Sequence, residues 1–214
     1  NDNEVPIITS NGGGDCAFVS VDENTTAVTT VTSTDPDASD TATYSITGGA
    51  DGAFFTIDAS TGVLSFINAP DYENPLDNGG NNVYDVIVTV SDAGGLTDEQ
   101  HIKVTVKNVN EAPVITSDGA GESASISVVE NTTGVTTVTA ADPDAGDTKI
   151  YSILGGADAA KFTINASTGV LTFINTPNFE NPTDVGTNNV YDVVVKVIDS
   201  AGLFDTQALA VTVT

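Results

Sequence analysis

The sequence predicts an all-β protein of two tandem Greek-key β-sandwiches of the immunoglobulin-like type, each with seven strands, in an elongated arrangement. First, residues 1–107 recur without a gap as residues 108–214, so that TIDASTGVLSFIN at 56–68 returns as TINASTGVLTFIN at 163–175. Second, short runs of alternating apolar and polar residues fill both copies, whereas no stretch has the spacing of an amphipathic helix. Third, clusters of Gly, Asn and Asp, which form turns, separate these runs.

Each copy is predicted to be a separate domain, with boundaries at 1–107 and 108–214. A repeat of about 100 residues can bury a hydrophobic core without help from a neighbour. The repeat therefore indicates a duplicated domain and not the short unit of a solenoid.

Within the first copy, strands are predicted from β-branched and aromatic residues that alternate with polar ones. VYDVIVTV at 83–90, for example, places Tyr84, Val86, Val88 and Val90 on one face of a strand, and Tyr84 and its counterpart Tyr191 are predicted to lie in the core. The loop 74–82, NPLDNGGNN, is interpreted as a solvated crossover between sheets in preference to a contact loop. The predicted strands are 5–9, 17–21, 27–33, 42–47, 54–57, 63–67, 83–92 and 98–107, the first two forming one interrupted edge strand.

The composition excludes several classes of function. Thirty acidic residues against five Lys and Arg give a net charge of −25, and phosphate binding needs clustered cations, so a nucleic-acid partner is excluded. The lone cysteine, Cys16, leaves no internal disulfide and is interpreted as incidental. The sequence has no initiator Met, signal peptide or apolar run near the ~20 residues of a membrane span, and the chain is expected to be a fragment of a longer protein.

Acidic motifs recur at the predicted strand ends of both copies, and their spacing indicates metal binding. Alternate residues of an extended chain point to the same side, so the two carboxylates of D-P-D or D-Y-E repel each other unless a cation compensates. Calcium fits best because it takes six to eight oxygen ligands in irregular geometry, and zinc is disfavoured because His101 is the only histidine. In the first copy these motifs are Glu23 in VDEN, Asp35 and Asp37 in DPD, Asp71 and Glu73 in DYE, and Asp92 in VSD.

Together with IDASTGVL and the linker NVNEAP at 108–113, these motifs resemble cadherin repeats in their bacterial form, one repeat per copy. In that family calcium binds between successive repeats, so the resemblance implies about two or three Ca²⁺ ions at the junction and a linker that ions lock. The linker is one residue shorter than the usual pattern, and Asn178 stands where the first copy has Asp71. The implied ligands are Glu23, Asp71, Glu73, Asn108, the carbonyls of Val109 and Asn110, Glu111, Asp142, Asp144 and Asp199.

The resemblance also implies half-sites at the outer ends of the two repeats, whose partner repeats lie outside this chain. These half-sites are Asn1, Asn3, Glu4, Asp35, Asp37 and Asp92 in the first repeat, and Glu130 and Glu180 in the second.

The leading functional hypothesis is a calcium-rigidified adhesion module of a large bacterial adhesin, extracellular or attached to the cell surface. Neighbouring repeats are the expected partners, with a cell-surface, matrix or polysaccharide partner and homophilic contact left open. The alternative is a carbohydrate-binding module of a polysaccharide-active or biofilm-matrix protein, which would need an exposed aromatic platform. Catalysis is disfavoured, because the motif of Asp71 and Glu73 is duplicated and one histidine offers no Ser–His or Cys–His set.

Overall fold

The chain divides into two compact units, Asn1–Val109 and Asn110–Thr214. The computed structural model describes residues 3–37 and 40–214. This division lies two residues beyond the predicted boundary after residue 107, and Val109 is hydrogen-bonded to Glu23 of the first unit. No helix within the described ranges has the length and apolar character needed to cross a membrane.

Unit 1 is built from short strands, as predicted, with two single turns of 3-10 helix at Ser10–Gly12 and Gly52–Phe54. Its strands are β1 (Ile7–Ile8), β2 (Cys16–Asp22), β3 (Ala27–Thr30), β4 (Ser33–Thr34), β5 (Thr43–Gly48), β6 (Phe55–Ile57), β7 (Val63–Phe66), β8 (Val83–Ser91) and β9 (Thr97–Lys107).

The strands of unit 1 form a β-sandwich. One sheet has the order β2-β9-β8-β5, with β2 parallel to β9 and the other pairs antiparallel. The opposite layer has the order β3-β7-β6, and β1 pairs with β4, which follows β3. The predicted interrupted edge strand is thus β1 and β2, and its interruption at Ser10–Gly12 lets the chain cross from one sheet to the other.

Unit 2 repeats this arrangement. Its sheets have the orders β11-β18-β17-β14 and β12-β16-β15, with β10 paired to β13 and β11 parallel to β18. The fold class predicted from the sequence is therefore confirmed in both units. The strands are β10 (Val114–Ile115), β11 (Ser123–Val128), β12 (Gly134–Thr137), β13 (Ala140–Ala141), β14 (Ile150–Gly155), β15 (Phe162–Ile164), β16 (Val170–Phe173), β17 (Val190–Ile198) and β18 (Phe204–Val213).

Each sandwich encloses its own hydrophobic core around one tyrosine and two phenylalanines. Tyr84 is 2% exposed and meets Phe66 edge-on, with ring centroids 5.1 Å apart, while Phe66 stacks on Phe55 at 4.4 Å. The backbone N–H of Leu76 donates to the hydroxyl of Tyr84, so the polar end of this buried ring is satisfied. Tyr191 has the same edge-on contact with Phe173 in unit 2, which confirms both tyrosines as core residues.

One predicted strand, 27–33, is split in the structure into β3 and β4. The pairing of β3 with β7 shifts register between Ala27 and Thr29, and Val31, fully buried, leaves the ladder to bond the carbonyl of Gly62. Gly62 has φ +70° and so little room that a Cβ would lie 2.1 Å from the carbonyl oxygen of Val31. The glycine of DASTG is therefore required by this close approach.

Replacing Phe66 by alanine should lower the free energy of unfolding of unit 1 by about 3–5 kcal/mol, because it leaves a cavity beneath Phe55 and Tyr84. The matched control is Phe18→Ala, since Phe18 is 80% exposed and its loss should change stability by less than about 0.5 kcal/mol. Urea denaturation of both variants in EDTA makes the comparison. Equal destabilisation by the two changes would contradict this description of the core.

Candidate metal centres

The C-terminal cluster of unit 1 consists of Glu23, Asp71 and Glu73, which each offer an oxygen within 4.8 Å of the others. Glu23 follows β2, whereas Asp71 and Glu73 lie in the loop between β7 and β8. Three carboxylates at this separation repel one another, and a bound cation would remove that repulsion.

Glu23 is the buried centre of this cluster, with only 2% of its surface exposed. Its Oε2 accepts the backbone N–H of Tyr72 at 2.7 Å, and its Oε1 accepts the backbone N–H of Val109 at 2.8 Å. The side chain of Asn108 donates to Oε1 of Glu73 at 2.8 Å. Asn108 and Val109, predicted from the linker, are thus brought to the same end of unit 1 as the three acids.

The N-terminal cluster of unit 2 consists of Asn110, Glu111, Asp142, Asp144, Asp147 and Asp199. The Nδ2 of Asn110 donates to Oδ2 of Asp199 at 2.7 Å, and the backbone N–H of Glu111 donates to Oδ2 of Asp144 at 2.8 Å. The backbone N–H of Asp144 in turn donates to Oδ1 of Asp142. Oxygens of Asp142, Asp147 and Asp199 lie within 4.8 Å of one another.

Hydrogen bonds in this cluster favour the ionised form of Asp199. Burial raises the pKa of its carboxyl, but hydrogen bonds from Asn110 and from the backbone N–H groups of Gly202 and Leu203 outweigh burial, so the pKa is below its usual value. The structure therefore keeps a negative charge beside Asp142 and Asp147, which is what a hard cation requires of its ligands.

The N-terminal cluster of unit 1 has the same pattern: Asn3, Glu4, Asp35, Asp37, Asp40 and Asp92. Asn3 donates to Asp92 at 2.8 Å, the backbone N–H of Glu4 donates to Asp37 at 2.9 Å, and Asp35, Asp37 and Asp40 present oxygens within 4.8 Å. A side-chain hydrogen bond with Asp37, followed by repulsion from it, raises the pKa of Glu4. The pKa of Asp40 is raised mainly by burial and to a smaller extent by repulsion from Asp92, Asp35 and Asp37. Asn1, also predicted here, lies outside the described residues.

The C-terminal end of unit 2 presents fewer carboxylates. Glu130 accepts the backbone N–H of Phe179 at 2.9 Å, as Glu23 does with Tyr72, and Glu180 is exposed. Asn178, which replaces Asp71, accepts the backbone N–H of Asn181. Unit 2 thus keeps the backbone hydrogen bonds that Glu23 and Asp71 make with the segment 71–74 in unit 1, but it lacks the negative charge of Asp71.

The donor chemistry of these clusters fits a hard divalent cation. Oxygen is the only donor element in the predicted ligand sets, which is the preference of calcium and magnesium. Among the described residues, Oδ2 of Asp35 and Oδ2 of Asp142 are buried carboxylate oxygens without a hydrogen-bond partner, an arrangement that costs free energy unless a cation meets them. Within residues 3–37 and 40–214 one salt bridge occurs, between Lys103 and Asp85. In these ranges no lysine therefore forms a salt bridge with the acidic clusters.

Sequence reasoning missed two residues of these clusters, Asp40 and Asp147. Each is the third acid of a repeated motif, DPDASD at 35–40 and DPDAGD at 142–147, and this repetition was the available signal. The structure brings Asp40 to Asp35 and Asp37, and Asp147 to Asp142 and Asp199. In unit 2 this approach is explained by a turn after the second acid, in which the backbone N–H of Asp147 donates to the carbonyl of Asp144. The alternation of an extended chain accounts for the first two acids of each motif, but the third acid lies beyond the point where the extended backbone ends.

Loop 74–82 is more than a solvated crossover, because it contains the buried carboxylate of Asp77. Asp77 accepts backbone N–H groups from Gly79, Asn81 and Asn82 at 2.9–3.1 Å. Burial raises the pKa of Asp77, but these backbone hydrogen bonds outweigh it and the pKa is lowered. Buried Asp51 also joins this loop to β8 by accepting the N–H groups of Asn78 and Asp85. Asp184 and Asp158 make the corresponding bonds in unit 2.

Tandem β-sandwiches of this topology, with carboxylates gathered where strands end, define a class of repeat module. Residues 18–107 and 124–214 each match the family model of the cadherin domain. The chain belongs to the cadherin family, which confirms the family predicted from the motifs. Cadherin domains are extracellular, occur as tandem repeats typical of adhesion modules and contact neighbouring repeats. A bacterial origin stays a prediction.

The similar proteins are much longer than this chain or share its fold at low identity. Human protocadherin Fat 1 is 34% identical over 131 residues, which is 58% of this chain and 3% of that protein. Halomucin of Haloquadratum walsbyi is 31% identical over 125 residues, 53% of this chain and 1% of that protein. The crystal structure of human protocadherin-24 EC1-2 aligns with a TM-score of 0.60 at 23% identity and covers 99% of both chains, which supports the fold alone.

Because Asp77 has a lowered pKa when folded, its contribution to stability is complete above the ordinary carboxyl pKa of about 3.9. That contribution is lost as the pH falls through the lowered value. Asp77→Asn, which cannot accept all the loop N–H groups, should lower the free energy of unfolding by about 1–3 kcal/mol at pH 7. Between pH 5 and pH 3 the variant should lose less further stability than the wild type.

Urea denaturation of unit 1 across this pH range measures both effects. Asp15→Asn is the matched control, since Asp15 is exposed and its replacement removes the same charge. The assignment of this role to Asp77 would be wrong if both variants followed one stability–pH curve.

Proposed function

We propose that this chain is a calcium-binding adhesion module in which Ca²⁺ at the joint between the two repeats stiffens the tandem array. One observation carries the proposal: consecutive linker residues are bonded into different acidic clusters. Val109 donates to Glu23 of unit 1, and Asn110 donates to Asp199 of unit 2. Adjacent Cα atoms are about 3.8 Å apart, so one peptide unit joins the linker residue bonded to the first cluster to the linker residue bonded to the second, and the proposed ions would take ligands from both.

The proposed ligands are the predicted set with one addition, Asp147. With Asp147 the set has eight carboxylates, so three Ca²⁺ ions would leave two negative charges, whereas two ions would leave four. Asn108 and the carbonyls of Val109 and Asn110 would add neutral oxygens. These ligands are Glu23, Asp71, Glu73, Glu111, Asp142, Asp144, Asp147 and Asp199 with Asn108, Val109 and Asn110.

Calcium is preferred to other cations because of the ligand set. Magnesium demands near-ideal octahedral geometry and keeps several waters, whereas calcium accepts six to eight oxygens in irregular positions. Zinc favours nitrogen and sulfur ligands, and the one histidine of the chain, His101, lies in β9 on the side of the sheet that faces outward. The outer clusters with Asn3, Glu4, Asp35, Asp37 and Asp92, and with Glu130 and Glu180, would serve further neighbouring repeats in the same way.

The parent protein is proposed to be a secreted or surface-attached adhesin, in which this segment acts as a spacer and attachment module. The family supports this assignment over an enzyme, because cadherin repeats act in adhesion. A carbohydrate-binding role gains no support. Four of the five tyrosines are buried, and Tyr72, at 37% exposure, lies inside the acidic DYE motif instead of on an aromatic platform.

Calcium should raise the melting temperature of the chain well above its value in EDTA. Extracellular calcium modules bind with Kd of about 10⁻⁴–10⁻³ M, and a hundredfold excess adds about 2.7 kcal/mol per independent site. For a chain of this size that corresponds to roughly 5–10 °C per site. Differential scanning calorimetry in calcium, magnesium and EDTA tests this, with magnesium expected to restore little. Glu73→Ala should reduce the calcium effect more than Glu180→Ala, and an unchanged melt in EDTA would exclude the calcium site.

Calcium should also narrow the range of orientations that the two repeats adopt. Without the ion, facing carboxylates repel across a linker of polar residues, whereas shared ions would have to lose several Ca–O contacts before the joint could bend. Small-angle X-ray scattering should therefore give a narrower distribution of maximum dimensions in calcium than in EDTA. Asp144→Asn, which removes a shared ligand, should shift the calcium profile toward the EDTA profile. Identical distributions in both buffers would refute stiffening by the ion.

A further inference from the structure

Asn82, at the end of loop 74–82, has a structural position that its neighbours in NGGNN do not share. Its backbone is left-handed, with φ +61°, and the residue is only 8% exposed. Its Nδ2 donates to the carbonyl of Tyr72 at 2.9 Å, across ten residues of chain. Its own backbone N–H is fixed by the buried carboxylate of Asp77 at 2.9 Å. The amide donor of Asn82 is thus positioned by the hydrogen bond between the backbone of Asn82 and Asp77.

Tyr72, which receives this bond, is the residue between Asp71 and Glu73. Its N–H donates to Oε2 of Glu23 at 2.7 Å and its C=O accepts from Asn82, so both backbone polar groups of Tyr72 are fixed. The peptide units that carry Asp71 and Glu73 therefore cannot rotate freely. A continuous chain of hydrogen bonds runs from Asp77 through Asn82 and Tyr72 to Glu23.

The same device is present in unit 2 with different residues around it. Asn189 has φ +63°, its Nδ2 donates to the carbonyl of Phe179 at 3.0 Å, and its backbone N–H donates to Asp184 at 3.1 Å. The N–H of Phe179 donates to Glu130 at 2.9 Å. The matching geometry in both copies indicates that this bond is a common feature of the repeat and does not depend on the residues that differ between the copies.

We propose that Asn82 is a positioning residue for the cation site formed by Glu23, Asp71 and Glu73, and that it acts by clamping the backbone of Tyr72. The proposal rests on the proposed function, because it requires a cation at this cluster. Asparagine meets both requirements of the position, since it tolerates left-handed backbone better than most residues and carries an amide donor. An ionised aspartate at the same position would tolerate this backbone but could not donate to Tyr72.

Asn82→Gly is the sharpest test, because glycine adopts positive φ without strain and lacks the amide that donates to Tyr72. Asn189→Gly is the matched control, as it removes the equivalent clamp from unit 2. The probe is Tb³⁺, a luminescent substitute for Ca²⁺ whose emission a nearby tyrosine sensitises. Tyr72 is suited to this because it lies between the proposed ligands Asp71 and Glu73 in the sequence. The Tyr72→Phe variant identifies which part of the luminescence comes from this cluster, and Phe179 gives unit 2 no equivalent signal.

In titrations of the whole chain, Asn82→Gly should weaken Tb³⁺ binding at the Tyr72-sensitised site about three- to tenfold, which corresponds to the loss of one hydrogen bond. Asn189→Gly should leave that affinity unchanged. Both variants should lower the melting temperature in EDTA by similar amounts. A difference between them in Tb³⁺ affinity would therefore not be explained by a loss of stability alone. If Asn82→Gly does not fold, Asn82→Ala replaces it with the same expectation and Asn189→Ala as its control, because alanine also lacks the amide donor and adds no charge.

The outcomes separate the two proposals. Absence of a Tyr72-dependent signal in the wild-type chain would overturn both the cation site and the clamp. A wild-type signal with equal affinity in Asn82→Gly and Asn189→Gly would overturn the clamp while leaving the calcium proposal intact.

Discussion

Negative charge gathered at the ends of each β-sandwich is the constraint on which the rest of the structure depends. The chain carries a net charge of −25, and within residues 3–37 and 40–214 one salt bridge, Lys103 with Asp85, pairs an acid with a base. Backbone N–H groups take the place of basic side chains. Glu23, Asp37 and Asp92 each accept such a bond from a residue far away in the sequence or across a turn. Carboxylates therefore organise the loops around them as well as offering ligands.

Two kinds of carboxylate result, and they differ in what satisfies their oxygens. Asp51 and Asp77 are buried, and both oxygens of each accept backbone N–H groups, so these two carboxylates shape loops. Asp35 and Asp142 each keep one buried oxygen without a hydrogen-bond partner. The first kind also supports one of the acidic clusters, because Asp77 fixes loop 74–82 and that loop in turn fixes the segment that carries Asp71 and Glu73.

Much of the fold was predictable because alternation and turn residues encode it locally. The run 83–90 shows which face of β8 is buried, and DPD and DYE show where strands end. The split of strand 27–33 was not predictable, since it depends on the close approach of Gly62 to Val31. Nor could the sequence show that Asn82 and Asp77 fix the backbone beside the acidic cluster of Glu23, Asp71 and Glu73. The hydrogen-bond partners of Asn82 and Asp77 are backbone groups, and nearly every residue type carries the same backbone N–H and C=O. The type of the partner residue therefore gives no signal in the sequence.

The parallel pairing of the first long strand with the last one has a mechanical consequence. Within unit 1, β2 lies beside β9 from Cys16 and His101 to Asp22 and Lys107, and β11 lies beside β18 in the same way in unit 2. A tensile force that pulled the two ends of such a unit apart would act along both strands in opposite directions. The hydrogen bonds between them would then be sheared together instead of being unzipped singly, so each sandwich is built to resist stretching along its strands.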